Sequence, residues 1–165
     1  MSLELTGTGT IKLEGLMKKI DRLPSALPRI AAQIGKDGVA RVGLGFRRQA
    51  DPYGTAWKPN WSRGGKTLMD TGWLAGSFQS KVEGTTIKIG TSRPFADVHQ
   101  KGMKIVPKRA KFLRFRVRWG GVFTVKSVTI PSRKMVPSKE GGLPDTWRRG
   151  FTNIVRATMR EVLRG

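Results

Sequence analysis

Apolar residues recur at helical spacing through the first third of the chain. One short series is formed by Leu16, Met17, Ile20 and Leu23. Pro24 follows this series and either ends the helix or bends it into the next one. A longer series runs from Leu27 to Phe46, although four glycines interrupt it. The pattern therefore predicts N-terminal helices, of which the longer ends before Asp51.

The same spacing is clearest at the other end of the chain. Apolar residues between Trp147 and Leu163 fall on one helical face, and arginines occupy many of the polar positions. Asp145 stands just before this series, where an aspartate commonly caps the first turn of a helix. Two shorter central helices are expected, one near Trp73 and one that ends at Gly102. Helices thus mark both ends and the middle of the chain.

Alternation of apolar and polar residues predicts β-strands between these helices. Residues 78–82 and 85–89 flank Glu83–Gly84, where glycine permits a tight hairpin turn. The chain of 165 residues fits a single domain, residues 1–165. We predict an α+β fold in which a small, mostly antiparallel sheet with β-hairpins packs against N-terminal, central and C-terminal helices. A basic β-hairpin region is expected at about residues 104–128.

The stretch from Asp51 to Trp61 holds a turn and two tryptophans outside any periodic element. Asp51, Pro52 and Gly54 stand at the first, second and fourth positions that a type I turn prefers. Large aromatic residues in a loop either seal it onto the core or contact a partner. We expect Trp57 to anchor the loop, and Trp61 is the better candidate for a partner contact.

Charge narrows the range of partners. The chain has 32 Lys and Arg against 11 Asp and Glu, a formal net charge of +21. Twelve of the basic residues, and no acidic one, lie between Val98 and Lys139. Such a field implies nucleic acid, an acidic protein or an anionic membrane as partner. A membrane ranks last, because no apolar run reaches the length of a span and the basic region reads as strand rather than amphipathic helix.

Candidate catalytic constellations fail on residue type or context. Residues 60–67 fall one glycine short of a phosphate-binding loop, and Pro52 and Pro59 interrupt any preceding strand. His99 is the only histidine and cysteine is absent, which argues against a zinc site. The carboxylates are scattered along the chain. We therefore predict no enzyme activity, no catalytic residue, no metal and no cofactor.

A row of arginines gives the strongest binding signal. Arg114, Arg116 and Arg118 alternate with apolar residues, so a strand would carry them on one face about 6.6 Å apart. Gly120–Gly121 suits a two-residue turn into the partner strand, and Lys126 lies beyond it. The arginines bind phosphate or carboxylate groups in one interpretation. In the other they form a solvated strand face whose charges discourage aggregation.

Several short motifs occur in a fixed order along the chain. They are Asp51-Pro52-Tyr53-Gly54 with Trp57; Leu-Met-Asp-Thr-Gly-Trp-Leu at 68–74, which includes Gly72; Phe-Ala-Asp-Val-His-Gln-Lys-Gly at 95–102, with His99 and Gly102; and Ile-Pro-Ser-Arg at 130–133, with Pro131 and Arg133. This ordered set resembles the virion morphogenesis or tail completion family of tailed bacteriophages, over about residues 27–133. Phe95, Lys101 and Lys134-Met135 depart from the pattern usual in that family.

The resemblance implies a structural protein of the virion neck or tail end, made in the bacterial host cytoplasm. Such a protein completes the tail and supports head–tail joining as a homo-oligomeric ring, with a hexamer favoured. Its implied partners are other copies of itself, the tail tube or tail terminator, and the head connector. Contact with genomic DNA in the neck channel is also compatible with the charge. The alternative is a basic nucleic-acid-binding protein that acts through the Arg-rich hairpin.

Overall fold

In this computed structural model, residues 23–60, 65–84, 86–117 and 120–164 are described, and they form four helices and six strands. The helices are α1 (Leu23–Arg48), α2 (Trp73–Gly76), α3 (Phe95–Lys101) and α4 (Asp145–Arg164). The strands are β1 (Gln79–Glu83), β2 (Thr86–Gly90), β3 (Met103–Ile105), β4 (Leu113–Arg116), β5 (Val122–Val125) and β6 (Val128–Ile130). The predicted α+β fold class is confirmed. The predicted helical series from Leu16 to Ile20 lies outside the described residues.

Helix α1 is the element against which the rest of the helical core packs. Helix α4 lies along it, and the β1–β2 hairpin covers another part of its surface. Val42 and Phe46 of α1 are among the most deeply buried side chains. At the other end of the contact with α4, the Thr158 hydroxyl donates a hydrogen bond to Gln33 Oε1 over 3.1 Å. The apolar periodicity of both helices thus corresponds to one shared interface.

Two of the glycines that interrupt the α1 pattern lie under the β1–β2 hairpin. A Cβ atom at Gly35 would lie 2.7 Å from Ser80 Oγ and 2.9 Å from Ser80 Cβ. A Cβ at Gly38 would overlap the end of the Ile89 side chain. Glycine weakens a helix intrinsically, but here it allows a strand pair to approach the helix backbone.

The six strands form three separate antiparallel pairs, β1–β2, β3–β6 and β4–β5, instead of one small sheet. β1 and β2 meet around Gly84, whose φ of 59° fits the tight turn predicted there. The β3–β6 pairing, with Met103 opposite Ile130, was not predicted from sequence. Among the described elements, β3–β6 and β4–β5 pack mainly within themselves, whereas β1–β2 packs on α1.

The predicted turn of the β4–β5 hairpin is displaced. The Gly120 N–H donates to Val117 O over 3.1 Å, and the Val117 N–H donates to Gly121 O over 2.9 Å. Gly121 therefore pairs across the hairpin with Val117, and the prediction of a two-residue turn centred on Gly120–Gly121 is wrong. Gly120, with φ of 91°, instead provides the left-handed exit from the turn.

The core gathers side chains from all four helices, from the loop after α1, from the end of the segment between α2 and β1, and from the segment after β6. Its buried members are Val42, Phe46, Trp57, Leu74, Phe78, Ala96, Met135 and Trp147. Helix α2 is short and begins after Gly72, whose φ is 74°. Phe78 follows this helix and is buried against Phe46, with ring centroids 5.9 Å apart. The loop and short helices are thus held to α1 by large apolar side chains.

Candidate functional site

The Asp51 turn is closed by its own carboxylate. Asp51 Oδ1 accepts hydrogen bonds from the backbone N–H groups of Tyr53, at 2.9 Å, and Thr55, at 2.8 Å. The Gly54 N–H donates to Asp51 O over 3.0 Å, and Gly54 has φ of 94°. Pro52 supplies the fixed φ of the second turn position. The loop therefore has one well-defined local conformation.

Two aromatic residues attach this loop to the segment that follows β6. Trp57 is only 7% exposed, packs edge to face on Phe46 with centroids 5.2 Å apart, and donates from Nε1 to Lys134 O over 3.1 Å. The Tyr53 hydroxyl donates to Gly142 O over 2.9 Å and accepts from the Ser138 N–H over 3.1 Å. The first loop motif thus fixes a stretch about eighty residues away in sequence.

Helix α3 also contacts the segment that follows β6. Gln100 Oε1 accepts from the Met135 N–H over 2.7 Å, and Gln100 Nε2 donates to Val136 O over 2.8 Å. Gly102, with φ of 76°, follows the helix, and a Cβ there would lie 2.8 Å from Ser132 N. Gln100 was not singled out from sequence, because its role depends on backbone that is distant along the chain.

Arg133 lies where these motifs meet. Its backbone N–H donates to His99 O over 2.6 Å, and its guanidinium donates from Nε to Lys58 O over 2.9 Å and from Nη2 to Pro59 O over 3.4 Å. The residue is 6% exposed. Arg133 follows β6, and through backbone carbonyls it connects this part of the chain to α3 and to residues 58–59 after Trp57.

Electrostatics around Arg133 favour a neutral His99. Burial lowers the pKa of His99, and the nearby positive charge of Arg133 lowers it further. Burial also lowers the pKa of Arg133. Because the ordinary pKa of arginine is very high, the guanidinium still stays protonated. His99 Nδ1 is buried and has no hydrogen-bond partner within the described part of the chain.

A groove of about 790 Å³, here called the Arg133 groove, opens beside this junction. Its polar and charged lining includes Lys58, Lys66, Asp70, His99 and Arg133. Its apolar lining includes Leu68, Trp73, Phe95, Phe115, Val128, Ile130 and Pro131. Gly72, at the start of α2, also lines it. Sequence reasoning did not find the groove, although four of the resembling motifs contribute to it or border it.

The basic hairpin lies next to the groove. Arg114 and Arg116 are exposed on one face of β4, while Leu113 and Phe115 are half-buried on the other. Phe115 stacks on Phe123 across the hairpin with centroids 6.1 Å apart. Lys126 follows β5 and is exposed. Two further candidate contacts from sequence, Trp61 and Arg118, lie outside the described residues.

The site offers binding chemistry. Within residues 23–60, 65–84, 86–117 and 120–164, no group of three or more His, Asp and Glu side chains could hold a metal ion. None of the described helices is long and apolar enough to cross a membrane. The arrangement instead combines exposed guanidinium groups on a strand face with a groove of mixed character, and both suit contact with a partner.

Comparison with known proteins gives one match. The model of the phage virion morphogenesis family matches residues 10–164. Neither the curated proteins nor the solved structures contain a significant match. The match spans nearly the whole chain, including all four helices and all six strands. The chain belongs to the phage virion morphogenesis family and has a structural or assembly role in a bacteriophage virion.

Proposed function

We propose that this protein is a structural subunit of the virion neck or tail end, which completes the tail and supports head–tail joining as a ring of identical copies. No catalytic step is part of this role. The observation that carries the proposal is the basic region between Met103 and Ile130. There, two strand pairs have open edges and carry exposed apolar side chains, and they pack mainly within themselves.

The open strand pairs favour a surface that is completed by assembly. A two-stranded hairpin is marginally stable by itself, and its outer edges keep unpaired N–H and C=O groups. Large apolar side chains stay exposed on these pairs in the described chain: Met103, Ile105, Val122 and Phe123. Neighbouring copies in a ring would bury such side chains and pair such edges in a repeated heterologous contact that closes on itself. A hexamer is the favoured ring.

The charge of the chain indicates which kinds of surface the partners above and below such a ring would carry. The acid-free stretch between Val98 and Lys139 would meet acidic surfaces on the tail tube, the tail terminator or the head connector. It would also tolerate genomic DNA passing through a neck channel. These contacts are proposed from charge complementarity alone.

The proposal is tested by deleting the gene from the phage and complementing it from a plasmid. Deletion is expected to leave filled heads and separate tails, seen by electron microscopy, and plasmid expression to restore joined virions. A Met103→Ser, Val122→Ser double variant should fold, by circular dichroism, but fail to complement. Leu163→Ser, an exposed change on α4, should complement fully. Joined, infectious virions from the deletion strain would refute the proposal.

Binding of nucleic acid is the second candidate function, and the exposed Arg114 and Arg116 on one strand face favour it. Its signature is a steep fall in affinity with salt, because each phosphate contact releases counterions. Replacing Arg114 and Arg116 by Gln should then lower the slope of log K against log salt by about one per lost contact. Under the assembly role the same double variant should bind duplex DNA as the parent does but assemble poorly into virions.

A further inference from the structure

We infer that the Arg133 groove receives an acidic segment of another virion protein, whose carboxylate meets the Arg133 guanidinium and whose apolar side chain packs between Trp73 and Phe95. This inference rests on the proposed assembly role, and it specifies the chemistry of one partner. It concerns the side chains that line the groove, whereas the contacts proposed between copies use Met103, Ile105, Val122 and Phe123 on the strand pairs.

The first argument is a buried positive charge that has no carboxylate partner within the described part of the chain. Arg133 is 6% exposed, yet no carboxylate of the described residues forms an ion pair with it. Two of its guanidinium nitrogens donate to backbone carbonyls, and no hydrogen bond within the described chain uses Nη1. A buried charge is unfavourable unless it is paired. An incoming carboxylate would supply the missing negative charge and accept from the guanidinium.

The second argument is an unsatisfied polar atom in the same groove. His99 lines the groove, and its Nδ1 is buried with no partner in the described part of the chain. Buried polar atoms are almost always hydrogen-bonded in native structures, so this atom requires a partner, and a polar group of a bound segment would supply one. Lys58 and Lys66 add positive charge to the groove lining. These groups together favour an anionic, hydrogen-bonding guest.

The third argument comes from aromatic side chains that the fold leaves uncovered. Trp73 is 70% exposed and Phe95 is 46% exposed, and both line the groove. The Arg93 guanidinium lies over the Trp73 ring, 5.6 Å from its centroid, which holds the indole in place. Exposed aromatic residues beside a pocket are typical anchors of protein interfaces. The guest therefore carries an apolar side chain next to its carboxylate.

Shape and charge favour a protein segment over DNA or a second copy. A nucleic acid backbone is usually followed by a row of exposed cations, whereas Arg133 is recessed. A second copy has 11 acidic residues against 32 basic ones, so it is a poorer source of an acidic segment than a different protein. An acidic segment of a different virion protein fits both the recessed guanidinium and the net charge.

The test uses the purified full-length protein and overlapping short peptides that cover the head and tail proteins encoded by the same phage. Binding is measured by fluorescence anisotropy. Peptides that bind should contain Asp or Glu beside a large apolar residue, and changing that Asp to Asn or Glu to Gln should weaken binding at least about tenfold. This substitution is made in the ligand and leaves the folding of the protein untouched.

Variants of the protein locate the contact. Trp73→Ala should weaken peptide binding about tenfold and Lys66→Gln about threefold, since both side chains are exposed and line the groove. Leu163→Ala and Lys36→Gln, exposed changes away from the groove, should stay within about twofold of the parent.

Four outcomes would overturn the inference: no peptide binds, the amide peptides bind as well as the acidic ones, Trp73→Ala has no effect, or a short single-stranded DNA competes equally with the peptide. The phage deletion experiment separates these outcomes from the proposed function. If no peptide binds while deletion still blocks head–tail joining, only the inference about the groove is refuted. If deletion leaves joined virions, the assembly role itself falls.

Discussion

Two tryptophans of this chain have opposite environments, and their substitution provides a matched test of the fold. Trp57 is buried against Phe46 and bonded to Lys134 O, whereas Trp73 is 70% exposed. Trp57→Ala should lower the free energy of unfolding by about 3–5 kcal/mol through the cavity and the lost hydrogen bond. Trp73→Ala should change it by less than about 0.5 kcal/mol. Urea unfolding followed by circular dichroism measures both, and equal losses would contradict the assigned environments.

His99 makes folding stability depend on pH in a defined direction. Burial and the charge of Arg133 lower its pKa in the folded protein, so the unfolded chain binds the proton more readily. The contribution is fully present above the ordinary histidine pKa of about 6.5 and is lost as the pH falls toward the folded value. His99→Gln should therefore lose stability less steeply than the parent between about pH 7 and pH 5.

Because His99 is the only histidine, its imidazole resonance can be followed by NMR without ambiguity. A titration midpoint below the ordinary value is expected. A midpoint at or above that value would mean that the imidazole is solvated or faces a carboxylate, and the account of the Arg133 junction would be wrong.

At the scale of elements, alanine substitutions at two glycines of α1 distinguish the effect of helix propensity from the effect of packing. Gly43 has open space around the position of a Cβ, whereas a Cβ at Gly35 would press on Ser80 of β1. Gly43→Ala should raise the free energy of unfolding by about 0.5–1 kcal/mol, because alanine favours the helix. Gly35→Ala should lower it despite the same propensity gain. Thermal unfolding distinguishes the two, and stabilisation by both would show that the hairpin does not lie close on α1.

The elements that sequence predicted well are those with a local cause. The periodicity of α1 and α4 and the alternation around Glu83–Gly84 are short-range patterns, and the structure has a helix or hairpin at each. The pairing of β3 with β6 is different, because it joins strands of three residues each that lie more than twenty residues apart. Neither strand is long enough to show a period.

The same limit applies to the candidate site. Alternation placed Arg114 and Arg116 on one strand face, and both are exposed there. The Arg133 groove depends on three loops, two helices and two strands that converge from distant parts of the chain. Burial of Arg133 and the amide contacts of Gln100 follow from that convergence, since their partners are backbone atoms of no particular residue type. In the sequence, only the ordered set of motifs indicated that these positions form one site.

For the whole molecule, the two strand pairs that pack mainly within themselves lie inside the acid-free stretch of the chain. The buried core takes side chains from all four helices and from the loop that holds Trp57, and the acid-free stretch from Val98 to Lys139 contributes Met135 to it and includes β3–β6 and β4–β5. The apolar side chains that stay exposed on those two strand pairs would be buried against a partner. Assembly would therefore stabilise the very part of the fold that has least support from the core.

Salt then has opposite effects on the two kinds of contact proposed for this molecule. Copies of a chain with a charge of +21 repel one another, and the repulsion weakens as the Debye length falls from about 10 Å at 0.1 M to about 3 Å at 1 M salt. Contacts between copies through apolar strand pairs should therefore strengthen with salt. Sedimentation velocity at increasing NaCl should show the average mass rising toward one closed species, whereas binding of acidic peptides or DNA weakens over the same range.

Val122→Ser tests whether the strand pairs carry this self-association. The side chain is exposed on β5, so the change should leave the fold intact and reduce the rise in mass with salt. Leu163→Ser, exposed on α4, should associate as the parent does and serves as the control. A protein that remains monomeric at every salt concentration, or whose mass falls as salt increases, would exclude apolar contacts between copies as the basis of a ring. Association that survives Val122→Ser but is lost in Leu163→Ser would place the contact on the helical face instead.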